Sequence, residues 1–365
     1  MAASLKTTIP RALLPPPRRQ RPLSTLLLLV LLASVSATGL LHLLLSLAPC
    51  LGRRDHCYNS YYSPYSFDAA AADRSRWMEA LPDAANLSSL SIPGTHDTLT
   101  HAAMGEHLQC QNSNLSAQLR AGVRYIDVRA RLRDDALHVY HADGDTGVAF
   151  EDVLLDAFAF LDANPSEAIV MRLKEESAPV GHNNSFTFEE AFNWHRLEAP
   201  ATAAGAAKHL RLYDPAAGEP LPTLGALRSG VFLLQNFKAP SGAAYGLAWE
   251  GPQMALQDMW IIPDVYHLAD KWTAVRTSLE RATTEPDDNS RLYLSHLSAS
   301  VGVLPIEAAA GPLNRTVDGI NDLTGQWLRD FEHSEEAVRT GIVIMDFPGK
   351  ELVDAVLAWN APLLQ

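Results

Sequence analysis

Residues 121–132 read AGVRYIDVRARL, a short apolar run that is bounded by polar residues. Runs of this kind are typical of β-strands. Asp127 and Arg129 lie two positions apart, so their side chains share one face of an extended chain. A pair of opposite charges on one strand is more often a structural ion pair than a functional site. Its role therefore depends on what the neighbouring strands bring to the same edge.

Six further stretches look like strands, and helix-like stretches alternate with them. The helix-like stretches carry apolar residues on one face and lie at 150–161, 320–331 and 352–359. This alternation, over about 280 residues, predicts an α/β fold with a parallel sheet, and the length fits a distorted TIM (β/α) barrel better than an open sheet. The pattern alone does not separate the two. The Ala-rich stretch from Ala199 to Ala207 is interpreted as a loop. The six strand-like stretches are LSSLSIP (87–93), LHVYH (137–141), AIVMRLK (168–174), GVFLLQN (230–236), LYLSHLSA (292–299) and GIVIMDF (341–347).

Composition divides the chain into four segments. Residues 1–24 hold five basic residues and no acidic one, and residues 25–49 are apolar enough and long enough to cross a bilayer. We expect a cytosolic leader and a signal anchor, with residues 50–75 as a linker and residues 76–365 as one catalytic domain. A signal peptide cleaved near Ala37 is the alternative, and a buried core helix is a less favoured third interpretation.

Both membrane interpretations place the catalytic domain in the secretory pathway, either as a single-pass membrane protein or as a secreted one. Four N-glycosylation sequons agree with this prediction, although each is a weak signal; they lie at Asn86, Asn114, Asn183 and Asn314.

The three cysteines also fit an oxidising compartment without forming a disulfide framework. We expect Cys57 to pair with Cys110, because Cys50 lies at the membrane boundary. Their spacing does not indicate a metal site.

The charge of the chain argues against nucleic-acid binding. The formal net charge is −13, and removing the five bases of the leader leaves −18 for the remainder. A nucleic-acid backbone rewards a basic patch, and the sequence shows none. A small anionic headgroup remains a possible ligand.

Polar residues cluster at the carboxyl ends of the strand-like stretches, the edge at which barrel enzymes build their sites. Such a set suits phosphodiester cleavage, in which a nucleophile loses a proton, a leaving group gains one and charge builds on the phosphate. A neutral and a protonated histidine can act as base and acid together, and an arginine can hold the phosphate without a metal ion. Any one of thirteen histidines is more often structural than catalytic, so the argument rests on the set. The set comprises His96, Asp97, Asp127, Arg129, His141, Lys174 and Asp346.

Six motifs in this order resemble the catalytic X domain of phosphatidylinositol-specific phospholipases C in its bacterial and fungal form. The resemblance covers roughly residues 76–356 and is strongest before Glu176. As a set the motifs are far more specific than any one of them. They read RWMEALPDAANLSSLSIPGTHDT (76–98), AGVRYIDVRARL (121–132), LHVYHADG (137–144), NPSEAIVMRLKEE (164–176), LQDMW (256–260) and GIVIMDFPG (341–349).

The resemblance implies a distorted TIM barrel and assigns the two histidines. His96 would be the general base on the inositol 2-hydroxyl, paired with Asp346. His141 would be the general acid for the diacylglycerol oxygen, paired with Asp97. The first product would be a cyclic inositol phosphate, released from a phospholipid at a membrane surface.

The resemblance also implies that no metal ion or other cofactor is needed. Arg129 stands where the animal enzymes of this family hold calcium, and Asp127 would support it. Lys174 and Asp258 fall where the family contacts the inositol ring.

Two departures put the identity of the headgroup in doubt. Asn236 stands where the bacterial enzymes have a ring-contacting arginine, and Trp260 stands where they stack a tyrosine.

Two other functions remain open. A metal-dependent glycerophosphodiesterase or sphingomyelinase-type barrel would need acidic metal ligands, against which Arg129 argues. A non-catalytic protein that binds lipid or glycan headgroups would be expected to have lost a histidine or its carboxylate.

Overall fold

The computed structural model describes residues 63–103, 105–214, 220–331 and 338–364. The predicted leader (1–24) and membrane segment (25–49) lie outside these ranges. Within them, no helix combines the length and the apolar character that a membrane crossing requires.

The strands formed by the described residues include all the predicted strand-like stretches and six further short strands. They are β1 (Ile92–Thr95), β2 (Tyr125–Arg133), β3 (Ala136–His141), β4 (Gly144–Ala149), β5 (Ala168–Glu175), β6 (Leu210–Arg211), β7 (Gly230–Asn236), β8 (Leu247–Ala248), β9 (Met254–Gln257), β10 (Ile261–Ile262), β11 (Leu292–His296), β12 (Ser300–Val301) and β13 (Ile342–Met345).

The helices of the described residues include the three predicted ones. They are α1 (Leu115–Arg120), α2 (Phe150–Ala163), α3 (Phe188–Leu197), α4 (Ala203–His209), α5 (Leu224–Leu227), α6 (Leu268–Thr284), α7 (Pro305–Ala310), α8 (Ile320–Phe331) and α9 (Lys350–Ala358).

A parallel sheet in the order β6-β7-β5-β2-β1-β13-β11-β9 forms the body of the fold. This confirms the predicted α/β class. The sheet curls into a TIM-like half-barrel, and no ladder joins β9 to β6 or β8 at the two edges of the described sheet. The predicted distorted barrel is therefore open on one side.

Alternation along the strands separates an inner core from an outer one. Val170 packs inside the barrel with Tyr125 and Phe232, whereas Ile169 and Met171 pack outside it under the helices. The same alternation continues upward, so that Arg172 and Lys174 follow Val170 on the inner face. The inner face is thus apolar at the bottom and charged at the top.

β3 is not a barrel strand, which corrects the sequence-based prediction. It runs antiparallel to β2, with Ala130 opposite Val139, and β4 continues the hairpin. The hairpin turns at Asp134 and Asp135 beyond the barrel mouth and returns. His141 therefore reaches the site on a returning strand.

The stretch from Ala199 to Ala207 was expected to be a loop but contains most of helix α4. Alanine is the strongest helix former, which the loop interpretation underweighted. Gly205 faces the ring of Phe158 at a distance that leaves no room for a Cβ. A glycine in this helix is therefore explained by its close packing against α2.

Residues 63–75, the described part of the predicted linker, pack against the end of the barrel rather than forming an open tether. Phe67 N donates to Phe347 O at 2.9 Å, and Gly349 N donates to Tyr65 O at 2.8 Å. A Cβ at Gly349 would collide with the backbone of Tyr65 and Ser66. This strap fixes the chain immediately after Asp346.

A buried ion pair holds the bottom of the barrel. The Nε and Nη2 atoms of Arg124 donate to Glu167 Oε2 at 3.0 and 2.7 Å, and both side chains are fully buried. Arg124 Nη1 also donates to the carbonyls of Leu119 and Val123. The pair joins the start of β2 to the start of β5.

We expect Glu167→Ala to lower the free energy of unfolding of the full chain by about 3–5 kcal/mol, because it leaves the Arg124 charge buried without its partner. Chemical denaturation measures the change. The control is Arg76→Ala, which removes an exposed pair with Glu79 and should leave the unfolding midpoint almost unchanged. Equal effects of the two substitutions would contradict this role of the buried pair.

Candidate active site

His96 lies directly after β1 and faces two carboxylates. Its backbone N–H donates to Met345 O at 3.0 Å, which keeps the ends of β1 and β13 in register. Its Nδ1 lies 2.9 Å from Asp346 Oδ1, and its Nε2 lies 3.2 Å from Asp97 Oδ2. Both predicted carboxylates are thus beside this imidazole.

His141 faces the same carboxylate from the hairpin. Its Nδ1 lies 2.7 Å from the carbonyl oxygen of Leu108, a contact in which Nδ1–H must be the donor. Its Nε2 lies 3.4 Å from Asp97 Oδ2, which is long for a hydrogen bond. Nε2 is therefore the nitrogen that can meet a ligand. The two imidazole centroids are 6.3 Å apart, which leaves room for a phosphate group beside them.

Arg129 is clamped between the two predicted aspartates. Its Nε lies 2.9 Å from Asp97 Oδ1, and its Nη2 lies 2.9 Å from Asp127 Oδ2. These contacts use one edge of the guanidinium. The side chain also lines the cavity, so the other edge can meet an anion there.

Burial and charge together set the protonation states of this cluster. Burial opposes ionisation of Asp127, but the Arg129 and Arg172 guanidinium groups outweigh it and hold the pKa of Asp127 well below its usual range. Burial raises the pKa of Asp346 well above its usual range, and the nearby Asp97 carboxylate adds to that effect. Burial also lowers the pKa of His96, as does the Arg129 cation. His96 is therefore neutral near pH 7, the form that a base requires.

Backbone strain accompanies these positions. Asp97 has a φ of +41° and Phe347 has a φ of +44°. Few side chains adopt this left-handed region, and such residues tend to gather at functional sites. Here they flank His96 and Asp346 and aim both side chains at the same point.

A cavity of about 260 Å³ opens beside the two histidines. Asp97 and Asp127 lie behind its wall in contact with Arg129. Asn236 also lies behind the wall, where its Oδ1 accepts hydrogen bonds from Arg172. The predicted residues that line the cavity are His96, Arg129, His141, Lys174, Asp258, Trp260 and Asp346.

Sequence reasoning missed two charged residues of the cavity wall, Arg172 and Glu176. They lie two positions before and two positions after Lys174, so the period of β5 was the signal that could have found them. Glu176 pairs with Lys174. Burial disfavours the Glu176 carboxylate, but the Arg129 and Lys174 cations outweigh burial and lower its pKa.

Two further residues support the site, and no pattern in the sequence indicated either of them. Gln111 Nε2 donates to the carbonyls of His96 and Met345 at 2.7 and 2.9 Å. Lys271 is fully buried and donates to Met259 O at 2.8 Å, which fixes the loop that carries Asp258 and Trp260. Burial lowers the pKa of Lys271 to about 7.

Cys110 is a free, buried thiol in the described residues, so the predicted Cys57–Cys110 disulfide is wrong. Cys57 itself lies outside the described ranges. The reason is that Cys110 faces inward: its Sγ lies 4.0 Å from His141 Nδ1 and lines the cavity.

The acid limb of the pH profile should lie below the ordinary histidine pKa of about 6.5. His96 must be neutral to act as a base, and its lowered pKa keeps it neutral until the pH falls through that value. The limb should move to higher pH in Arg129→Gln, which removes a cation that opposes protonation of His96. The pH dependence of kcat/KM measures both effects. An acid limb above the ordinary histidine value in the wild type would contradict the assignment.

Comparison with known proteins supports the family that the motifs indicated. The family model "Phosphatidylinositol-specific phospholipase C, X domain" matches residues 87–215. A 1-phosphatidylinositol phosphodiesterase of Listeria monocytogenes is 29% identical over 85% of this chain and 92% of its own length. One from Staphylococcus aureus is 25% identical over 79% of this chain and 93% of its own length.

Solved structures agree on the fold. The phosphatidylinositol-specific phospholipase C of Listeria monocytogenes superposes with a TM-score of 0.62 and 29% identity, covering 79% of this chain and 99% of that one. The Staphylococcus aureus enzyme gives the same TM-score at 20% identity, which supports the fold alone. Residues 87–215 of this chain are therefore similar to the X domain of the phosphatidylinositol-specific phospholipases C.

Proposed function

We propose that the protein is a phosphodiesterase of the phosphatidylinositol-specific phospholipase C type that needs no metal ion. The observation that carries the proposal is the pair of histidines, each beside a buried carboxylate, around one cavity with Arg129 in its wall. Relatives named 1-phosphatidylinositol phosphodiesterases support the same activity.

In the proposed reaction, His96 Nε2 takes the proton of the inositol 2-hydroxyl. The hydroxyl oxygen attacks phosphorus and closes a cyclic phosphodiester, while the bond from phosphorus to the glycerol oxygen breaks. His141 donates a proton to that oxygen, and diacylglycerol leaves. Arg129 stabilises the charge on the remaining phosphate oxygens. Acid-base catalysis of this kind contributes roughly 10²- to 10⁴-fold.

The carboxylates have separate roles in this scheme. Asp346 bonds to Nδ1 of His96, which leaves Nε2 as the basic nitrogen. Asp97 lies between His96 Nε2, His141 Nε2 and Arg129, and it can stabilise the imidazolium of His141 before proton transfer and that of His96 after it. Asp127 keeps Arg129 in place.

An apolar rim beside the cavity supports a lipid substrate. The paired strands β10 and β12 carry Ile261 and Val301, whose side chains are exposed. Met259 and Trp260 precede them and are exposed as well. A rim of this kind next to a polar cavity suits a substrate with an apolar tail and a polar headgroup. A membrane-anchored or secreted location remains a prediction that rests on residues 25–49.

Asn236 is neutral where the family has an arginine, and Arg172 supplies the headgroup pocket with a cation instead. Its Nε and Nη2 donate to Asn236 Oδ1 at 3.0 and 2.7 Å, and its guanidinium carbon lies 3.8 Å from the ring centre of Trp249. Nη1 lies 3.4 Å from Asp127 Oδ1, and the side chain lines the cavity. We assign Arg172 to ring-hydroxyl binding, with Asn236 as its positioning residue.

The metal-dependent alternative is less well supported. Arg129 occupies the space between Asp97 and Asp127 and engages one oxygen of each. A cationic guanidinium in that place opposes binding of a divalent ion by the two carboxylates.

We expect His96→Ala and His141→Ala each to lower inositol phosphate release from phosphatidylinositol vesicles at least about 100-fold, because each removes one proton-transfer group. The assay contains excess chelator and uses the full chain in detergent-free buffer. His267→Ala is the matched control, since His267 is exposed and its imidazole pairs with its neighbour Asp264. Wild-type activity no higher than that of His96→Ala would favour the non-catalytic alternative, and sensitivity to the chelator would favour the metal-dependent one.

We expect Arg172→Met to lower kcat/KM on phosphatidylinositol by roughly 10- to 100-fold, the range for a charged hydrogen bond. Asn236→Ala should raise KM more than it lowers kcat, because it loosens the arginine without removing it. Arg276→Met on the surface of α6 is the control. If Arg172→Met and Arg276→Met behave alike, Arg172 does not bind the headgroup.

A further inference from the structure

Two polar side chains are buried inside the barrel beneath the active-site cavity, and the mechanism uses neither of them. Tyr125 Oη on β2 and His296 Nε2 at the end of β11 have no hydrogen-bond partner among the described residues, and both side chains are fully buried. The other ring nitrogen of His296, Nδ1, lies 3.4 Å from Ser298 Oγ. Buried polar atoms are normally satisfied, so Oη and Nε2 need an explanation.

The register of the parallel sheet places the two residues at one level of the barrel. His296 pairs with Ile344 on β13. Ile344 pairs with Gly94 on β1, and Gly94 pairs with Tyr125. His296 also follows the inner-core residue Leu294 by two positions, so its side chain faces the barrel interior. Tyr125 and His296 therefore face the same space from β2 and β11.

Gly94 determines the direction of the tyrosine ring. A Cβ at Gly94 would lie 2.8 Å from both Cβ and Cδ1 of Tyr125, so the ring leans over β1. From there β13 and β11 follow in the sheet. The hydroxyl of Tyr125 is thus directed to the side of the barrel on which His296 lies.

Three charged residues, Asp127, Arg172 and Asp258, act on both groups. Burial raises the pKa of Tyr125 well above its usual range, and Asp127 adds to that effect while Arg172 opposes it. Burial lowers the pKa of His296 to about 4, and here Asp258 and Asp127 oppose the effect while Arg172 adds to it. Both groups are neutral near pH 7, so a neutral polar ligand suits them better than an ion.

Asp127 offers a third polar atom to the same space. Its Oδ2 accepts hydrogen bonds from Arg129, whereas its Oδ1 lies 3.4 Å from Arg172 Nη1. That distance exceeds the roughly 2.7–2.9 Å of a charge-assisted hydrogen bond, and a carboxylate oxygen has lone pairs for a further donor. A buried water molecule needs about two to four polar partners. Tyr125, Asp127 and His296 together provide three.

We propose that Tyr125 Oη, Asp127 Oδ1 and His296 Nε2 bind an internal water molecule, and that Tyr125 and His296 are positioning residues for Arg172. The tyrosine hydroxyl donates to the water, and the water donates to Oδ1. The water donates to Nε2 or accepts from it, according to the tautomer of His296. It thereby fixes the carboxylate that faces Arg172. The positioning role rests on the proposed function, whereas the water site does not.

The first test needs no enzymatic activity. Tyr125→Phe removes only the hydroxyl, and chemical denaturation of the full chain measures the result. If Oη bonds to water, its loss should raise the unfolding equilibrium constant roughly 5- to 100-fold, because buried partners lose a hydrogen bond. If Oη had no partner, its removal would leave the constant unchanged or lower it. That result would overturn the proposal.

A double-variant cycle tests whether one water joins the two residues. His296→Phe removes Nε2 and keeps a ring beside His96. Tyr125→Phe/His296→Phe should be about as stable as the less stable single variant, because either change breaks the same network. Tyr213→Phe is the matched control, since Tyr213 is a buried tyrosine of the inner core whose Oη donates to Gln253 Oε1. Its effect should add to that of His296→Phe. Additive effects of Tyr125→Phe and His296→Phe would contradict a shared water.

The second test measures the positioning of Arg172. Tyr125→Phe and His296→Phe should each raise KM on phosphatidylinositol vesicles roughly 3- to 10-fold, the range for one hydrogen bond, and change kcat less. His296→Gln, whose amide can take the place of Nε2, should restore most of the loss. In an Arg172→Met background neither change should raise KM further. An undiminished increase in that background would show that the two residues do not act through Arg172. If the wild type itself releases no inositol phosphate, the proposed function fails, and the stability tests still decide the water site.

Discussion

The double ion pair of Arg129 with Asp97 and Asp127 is the interaction on which the site depends. The Asp97 and Asp127 carboxylates are buried at the top of β1 and β2, and burying a charge costs several kcal/mol for each ion unless partners replace the lost hydration. Arg129 bonds to both carboxylates, and Arg172 approaches the second oxygen of Asp127 at 3.4 Å. The positions of these charges follow from the alternation of side chains along parallel strands in register.

The cluster explains why the two histidines differ in environment. His96 is enclosed between two carboxylates and near a fixed cation, and the net effect of burial and of Arg129 is to keep it neutral. His141 stands on the hairpin outside the barrel, beside Asp97 Oδ2, the carbonyl of Leu108 and the thiol of Cys110. An asymmetric pair is what a reaction with one base and one acid requires. The strap of residues 63–75 also fixes the position of the chain that follows Asp346.

Much of the barrel could be predicted because its strands are short apolar runs that end in polar residues. That pattern alone predicted correctly that His96, Arg129, Lys174 and Asp346 lie at the carboxyl ends of the strands. The pattern did not show that β3 returns as a hairpin, because an apolar run has the same appearance in either direction. It also could not show that the sheet stays open, since closure depends on pairing between distant edges.

The residues that the sequence missed share a physical cause. Arg172 and Gln111 act through contacts with residues far along the chain, Asn236 and Met345, and Lys271 acts through the carbonyl of Met259 in the preceding loop; no local pattern records such contacts. Asn236 on β7 was expected to leave the pocket without a cation. Strand β5, which pairs with β7, provides one as Arg172. Cys110 was assigned to a disulfide from its count and position, although its inward direction makes it part of the cavity wall.

The most direct test of the account is the identity of the first phosphorus-containing product. Phosphatidylinositol vesicles are incubated with the full chain in excess chelator, and the water-soluble product is followed by ³¹P NMR. Metal-independent attack by the 2-hydroxyl predicts that a cyclic inositol phosphate accumulates first and that His141→Ala nearly abolishes it. Formation of an acyclic inositol phosphate from the outset, or loss of all product in chelator, would contradict the two-histidine mechanism.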